Sequence, residues 1–115
     1  MIVAGFGFTS TATADSLRAA LDAAIAATGL TPTHAATAAD KAAALGVLNL
    51  PVIAVTNLPA DTPTQSPASL AARVTGSVAE AAALAAAGPG ARLAAPRVIS
   101  SDRRATCAIA IRDCP

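Results

Sequence analysis

The chain has no tryptophan and no tyrosine, and only two phenylalanines in 115 residues. Aromatics at 2% leave no material for a base-stacking platform. Charge is also sparse, at 13% of residues with a net of +1. That excludes a generally basic nucleic-acid binder and an acidic tail protein. The two cysteines, Cys107 and Cys114, form neither a CxxC nor a cluster, and the single histidine, His34, is far from them in sequence. Zinc needs four protein ligands, or three and a water, so no metal site is expected, and no cofactor. A secreted disulfide scaffold would be dense in cysteine. No apolar run approaches the roughly 18 residues of a membrane span. The chain opens on an apolar run, Ile2-Val3-Ala4, without a basic leader or a cleavage pattern. The expectation is a cytoplasmic domain with neither nucleic acid nor membrane as partner.

What is abundant is alanine, at about 30% of the chain and far above ordinary usage. A core made of alanine is thin, so helices must lie close to whatever they pack on. The length suits one domain, residues 1–115. Residues 2–6 (IVAGF) read as a buried strand, followed by a small-residue loop, Gly7 to Thr13. Leu17, Leu21 and Ile25 then recur every fourth residue and predict a helix over 14–28. Thr13 suits its N-cap, Asp15 its first turn and Gly29 its C-terminal stop, with Leu30 placed for the hydrophobic contact that follows.

A weak strand over 34–38 (HAATA), a helix over 41–49 and a buried strand over 51–55 (PVIAV) come next. Residues 56–66 read as a long surface loop, and a helix should run from Ser66 or Pro67 to Val74. Gly76-Ser77-Val78-Ala79-Glu80 combines a helix stop with a capping box, Ser77 to Glu80, for a helix reaching Ala87. Gly88 and Pro89 end it. Residues 91–95 and 105–111 should pair as an antiparallel hairpin-like unit. In the second strand Cys107, Ile109 and Ile111 alternate with Ala108 and Ala110, and the small face would let a helix approach.

The chemistry-bearing residues each have two readings. Gly5-Phe6-Gly7 after a strand invites a dinucleotide motif, but Ser10 occupies the position where a third glycine belongs. The loop still offers backbone N–H groups, the hydroxyls of Thr9, Ser10 and Thr11, and a helix start, which suit a carboxylate or phosphate; the alternative is a merely capped loop. Asp40-Lys41 follows the second strand, where ligands collect in open α/β sheets, or else it starts a helix with Asp40 as N-cap. Ser77 and Glu80 have a structural task in the capping box. The arginines of the last quarter, Arg92, Arg97, Arg103, Arg104 and Arg112, suit anions or simply solubilise an edge.

Taken in order, IVAGFGF, Asp40-Lys41, PVIAV, GSVAEAAAL and the terminal TCAIA resemble the CobE family, whose domain also forms the C-terminal part of CbiG. The resemblance implies a three-layer α/β/α domain with a mixed, mainly parallel sheet and a C-terminal antiparallel strand pair. It implies a place in cobalamin biosynthesis, most like a stand-alone CobE. CbiG proteins are cobalt-precorrin-5A hydrolases that open a lactone and release acetaldehyde; this chain resembles only their last domain. The expected partner is a precorrin tetrapyrrole, bound by a carrier or accessory factor. A hydrolase on the same class of intermediate, or a small domain that assembles the pathway's enzymes, are the alternatives. The ligand residues carried over are Gly5, Gly7, Thr11, Asp40, Lys41, Ser77, Glu80 and Arg97, with Thr9 and Ser10 added from the loop. Family members often carry basic residues after the first strand, where this chain has Phe8-Thr9-Ser10-Thr11, and an acid after the lysine, where it has Ala42. A corrin precursor is an apolar ring edged with acetates and propionates, so its pocket needs an apolar wall and anion donors at the rim.

Overall fold

The computed structural model describes residues 1–9, 11–55, 78–88, 90–95 and 97–112, with Asp40 described by its backbone alone. The expected loop and helix over 56–74, and Ser10, Ser77 and Cys114, lie outside the described residues.

Strand β1 (Ile2–Phe8) is the middle of the sheet. It pairs in parallel with β2 (His34–Ala38), which pairs in parallel with β3 (Val52–Val55). On its other side β1 runs antiparallel to β6 (Ala105–Ile111) over its whole length. Two short strands, β4 (Arg92–Leu93) and β5 (Val98–Ile99), pair antiparallel with successive parts of β6. The sheet is therefore mixed, with a parallel half and a C-terminal antiparallel half.

Alternation along the strands divides the core in two. Ala4, Phe6, Ala35, Cys107 and Ile109 face α1 (Ala14–Thr28) and the 3-10 helix (Ala39–Leu48). Val3, Ala36 and Ala110 face α2 (Val78–Ala87). This is the three-layer α/β/α arrangement.

Helix α1 follows its sequence signals closely. Thr13 caps it reciprocally with Ser16: each backbone N–H donates to the other's hydroxyl, at 3.2 and 3.1 Å. Gly29 closes it in the left-handed region, φ 69°, donating to Ile25 O, and Leu30 packs on the core.

Elsewhere the structure departs from expectation. The first strand runs on through Gly7 and Phe8, because β6 pairs with it as far as Phe8 opposite Ala105. The segment expected as a helix over 41–49 is a 3-10 helix over Ala39–Leu48. Its apolar residues Ala42, Leu45 and Leu48 recur every third residue, a spacing that a three-residue turn stacks in one column. Its N-cap is Ala38, without a side-chain cap, so Asp40 lies inside the helix instead of capping it. Strand β3 was expected to be buried, yet only Val55 is, and Val52 is exposed. Among the described residues it is the end of the strand order, with β2 on one side. The strand expected over 91–95 contracts to two residues, and β5 has no counterpart in the expectation. Runs as short as Val98–Ile99 carry too little periodicity to register.

Candidate functional site

Parallel strands deliver their C-terminal ends to one edge of a sheet, and here those of β1 and β2 end at Phe8 and Ala38. Lys41 lies in the first turn of the 3-10 helix that follows β2. Its Nζ donates to Phe8 O at 2.5 Å and lies 5.0 Å from the Phe8 ring centroid. An ammonium over an aromatic face is held by the ring quadrupole as well as by the hydrogen bond. Lysine has three N–H donors, so this contact fixes the head group without exhausting it. Lys41 therefore stands at the same edge as the loop after β1, as the topology argument requires.

That loop is ordered by its own hydroxyls. Thr9 O accepts from Ala12 N at 3.1 Å, and the Thr9 and Thr11 hydroxyls lie 3.0 Å apart in a hydrogen bond. Thr37 Oγ1 donates to Phe6 O at 2.8 Å and Thr106 Oγ1 to Gly7 O at 3.1 Å, so β1 is pinned from both neighbouring strands just before the loop.

The other flank is a turn that sequence reasoning left as a polar connection. Asp102 accepts from Ser100 Oγ and Ser16 Oγ, each at 2.5 Å, and from Arg104 N at 3.0 Å. These three donors hold its carboxyl at about 2, below the ordinary 3.8, with the Ser100 hydroxyl contributing most and Ser16 next. Ser16 thus both caps α1 and ties that helix to the turn before β6. Ser-x-Asp in a polar stretch signals a side-chain-stabilised turn. Nothing in sequence could have announced Ser16, which is 86 positions away from Asp102.

The two glycines have a packing role. A Cβ on Gly5 would come within 2.1 Å of Ala79 O and 2.5 Å of Ala83 N, so α2 lies directly on the strand. Gly7 is less tight, with Thr106 Oγ1 at 3.1 Å and the Val78 Cβ at 3.3 Å from the same construction. Glu80 is completely buried in the first turn of α2 and accepts from Arg97 N at 3.3 Å, joining the helix to the segment before β5. Glu80 and Arg97 are thus brought together on the α2 side of the sheet. Lys41, Thr9 and Thr11 gather at the strand ends, with Lys41 in the layer of α1. Burial pushes the Cys107 thiol far up, which keeps it protonated and inert. Among the described residues no group of three or more His, Cys, Asp or Glu could hold a metal ion, and no helix is long and apolar enough to cross a membrane.

Fold and edge together define the class: an α/β/α domain with a cationic, hydroxyl-rich loop cluster where its parallel strands end. Residues 2–110 match the family described as cobalamin synthesis G C-terminus. The solved structure of the cobalamin biosynthesis protein chiG from Agrobacterium tumefaciens str. C58 is 41% identical. That match has a TM-score of 0.74 and covers 99% of this chain and 100% of that one. CobE, a protein from the cobalamin (vitamin B12) biosynthetic pathway, is 28% identical with a TM-score of 0.76, covering 96% and 89%. The chain belongs to the CbiG C-terminal family of cobalamin biosynthesis proteins. Among curated proteins, none matches it.

Proposed function

We propose that this domain binds a precorrin or corrinoid intermediate of cobalamin biosynthesis at the C-terminal edge of β1 and β2, as a carrier or accessory factor. The observation that carries the reading is Lys41, whose ammonium is fixed over Phe8 and beside the loop of Thr9 and Thr11. An aromatic face, a cation and hydroxyls side by side match an apolar ring edged with carboxylates. A carrier of this kind hands its cargo to other enzymes of the pathway.

Absorbance titration with cobyrinic acid, a corrinoid with free carboxylates, tests this. Affinity should fall as salt is raised, since exposed charge pairs are screened. The heptamethyl ester should bind more weakly than the acid. Lys41→Ala should weaken binding by about 1–3 kcal/mol, the range for a hydrogen bond to a charged group; it also removes the bond to Phe8 O, so its unfolding is measured beside the titration. Equal binding of acid and ester would refute the rim of anion donors. Mass spectrometry of the recovered ligand separates the roles. An unchanged mass supports a carrier, whereas a hydrolysed ring with released acetaldehyde would assign a hydrolase.

A further inference from the structure

The peptide group between Phe8 and Thr9 is held from both sides. Its carbonyl, Phe8 O, accepts from Lys41 Nζ, and its N–H, on Thr9, donates to Arg104 O at 2.9 Å. C=O and N–H point in opposite directions from a trans peptide. Lys41 and the arginine turn therefore flank the start of the loop on opposite sides, Lys41 on the β2 side and Arg104 on the β6 side.

The arginine turn is built with care. Arg103 adopts φ 61°, a left-handed conformation that a bulky L-residue takes only when its surroundings impose it. The surroundings here are Arg103 N on Ser100 O at 2.9 Å, Ser100 N on Ala105 O at 2.8 Å, and the three donors on Asp102. Arg104 Nη1 reaches across to Thr11 O at 3.5 Å, a long contact that leaves the fork largely uncommitted. Both arginines are exposed, and the Arg103 side chain makes no hydrogen bond with the described residues. Asp102 is held to the turn by Ser16, Ser100 and the Arg104 backbone N–H, and its charge offsets part of that of Arg104, leaving the turn with a net positive charge.

We propose that Arg103 and Arg104 form a second cationic flank of this site, so that it takes a ligand carrying at least two separated carboxylates. One carboxylate lies against Lys41 and another against the arginine turn. The inference rests on the functional reading above and adds to it a two-sided geometry. A single phosphate or lone carboxylate would engage one flank only, whereas acid groups distributed around a ring reach both. Guanidinium forks suit carboxylates by bidentate pairing, and the turn fixes the backbone from which both side chains extend.

Isothermal titration calorimetry with cobyrinic acid tests this on the full chain, using Lys41→Ala, the pair Arg103→Gln with Arg104→Gln, and all three substitutions together. Arg104→Gln retains the backbone N–H that serves Asp102, and the thermal midpoint of each variant is measured first to confirm folding. Arg92→Gln removes one positive charge at the other end of the sheet, where Arg92 pairs with Ile111, and serves as the control. The arginine pair should lose about tenfold in affinity, which corresponds to 1.4 kcal/mol. The triple variant should lose the product of the two separate losses, while Arg92→Gln stays within about twofold. If Lys41→Ala weakens binding and the arginine pair binds like the unsubstituted chain, the second flank is refuted and the functional reading stands. If the unsubstituted chain fails to bind cobyrinic acid, both fall.

Discussion

At the scale of single residues, Gly5 shows why glycine stands where a nucleotide-binding motif first suggests itself. Its missing side chain is occupied by the backbone of α2. Gly5→Ala would drive a methyl group into Ala79 O, and overpacking of this kind costs about 3 kcal/mol or more. Gly46 is the internal contrast, since among the described residues nothing lies within 4 Å of a Cβ built there and its φ is not in the left-handed range. Gly46→Ala should be neutral or stabilise by about 0.4–1 kcal/mol through the unfolded chain. Urea unfolding of the two variants checks both signs. Asp102 gives a pH prediction. Its carboxyl titrates near 2 in the folded protein and near 3.8 when unfolded. Between these values the unfolded state holds the extra proton, so this residue's contribution is complete above about pH 4 and is lost as pH falls through about 2. Asp102→Asn should therefore flatten the decline of the thermal midpoint between pH 4 and pH 2. An unchanged slope would mean that Ser16 and Ser100 do not hold the ionised form.

At the scale of elements, α1 was legible because its stripe, N-cap and C-terminal glycine all say the same thing. Leu17 is buried, Leu21 and Ile25 pack on the same core, and both ends fall where the caps put them. Thr13→Ala should cost about 1 kcal/mol, as the loss of an N-cap does. Ser16→Ala should cost more than Thr13→Ala, because Ser16 also donates to Asp102; chemical denaturation of both variants ranks them. The 3-10 helix was legible as a helix but not in its winding. Alanine fits any helical turn, and only the third-residue spacing of Ala42, Leu45 and Leu48 distinguishes the two. Strand β6 was readable in full, including its small face toward α2, because Ala108 and Ala110 alternate with larger residues. Strands β4 and β5 exist by pairing with β6, a long-range partnership that two-residue segments do not encode.

At the scale of the whole molecule, the order of the strands decides what meets at the edge where β1 and β2 end. The parallel β1 and β2 put the loop after β1 and Lys41 at one edge, a consequence of topology that sequence reasoning reached through the strand–helix alternation. The arginine turn arrives there for a different reason. Strand β6 runs antiparallel to β1, so the residues that precede β6 lie where β1 ends. Sequence supplied the arginines but not their place, since no local signal says that residues 103 and 104 face residues 9 and 11. Glu80 went the other way. Its pattern put it in a capping box with Ser77, which lies outside the described residues; Glu80 stands in the first turn of α2, enclosed against Arg97.

The location of the site is the central claim, and amide chemical-shift perturbation on titrating the 15N-labelled domain with cobyrinic acid reads it directly. The account predicts that the amides of Thr9, Thr11, Lys41, Arg103 and Arg104 shift together along one binding curve. Those of Thr33, Arg92 and Ile111, at the opposite edge, should stay in place. Shifts confined to Thr33, Arg92 and Ile111, or no saturable shifts at all, would contradict it.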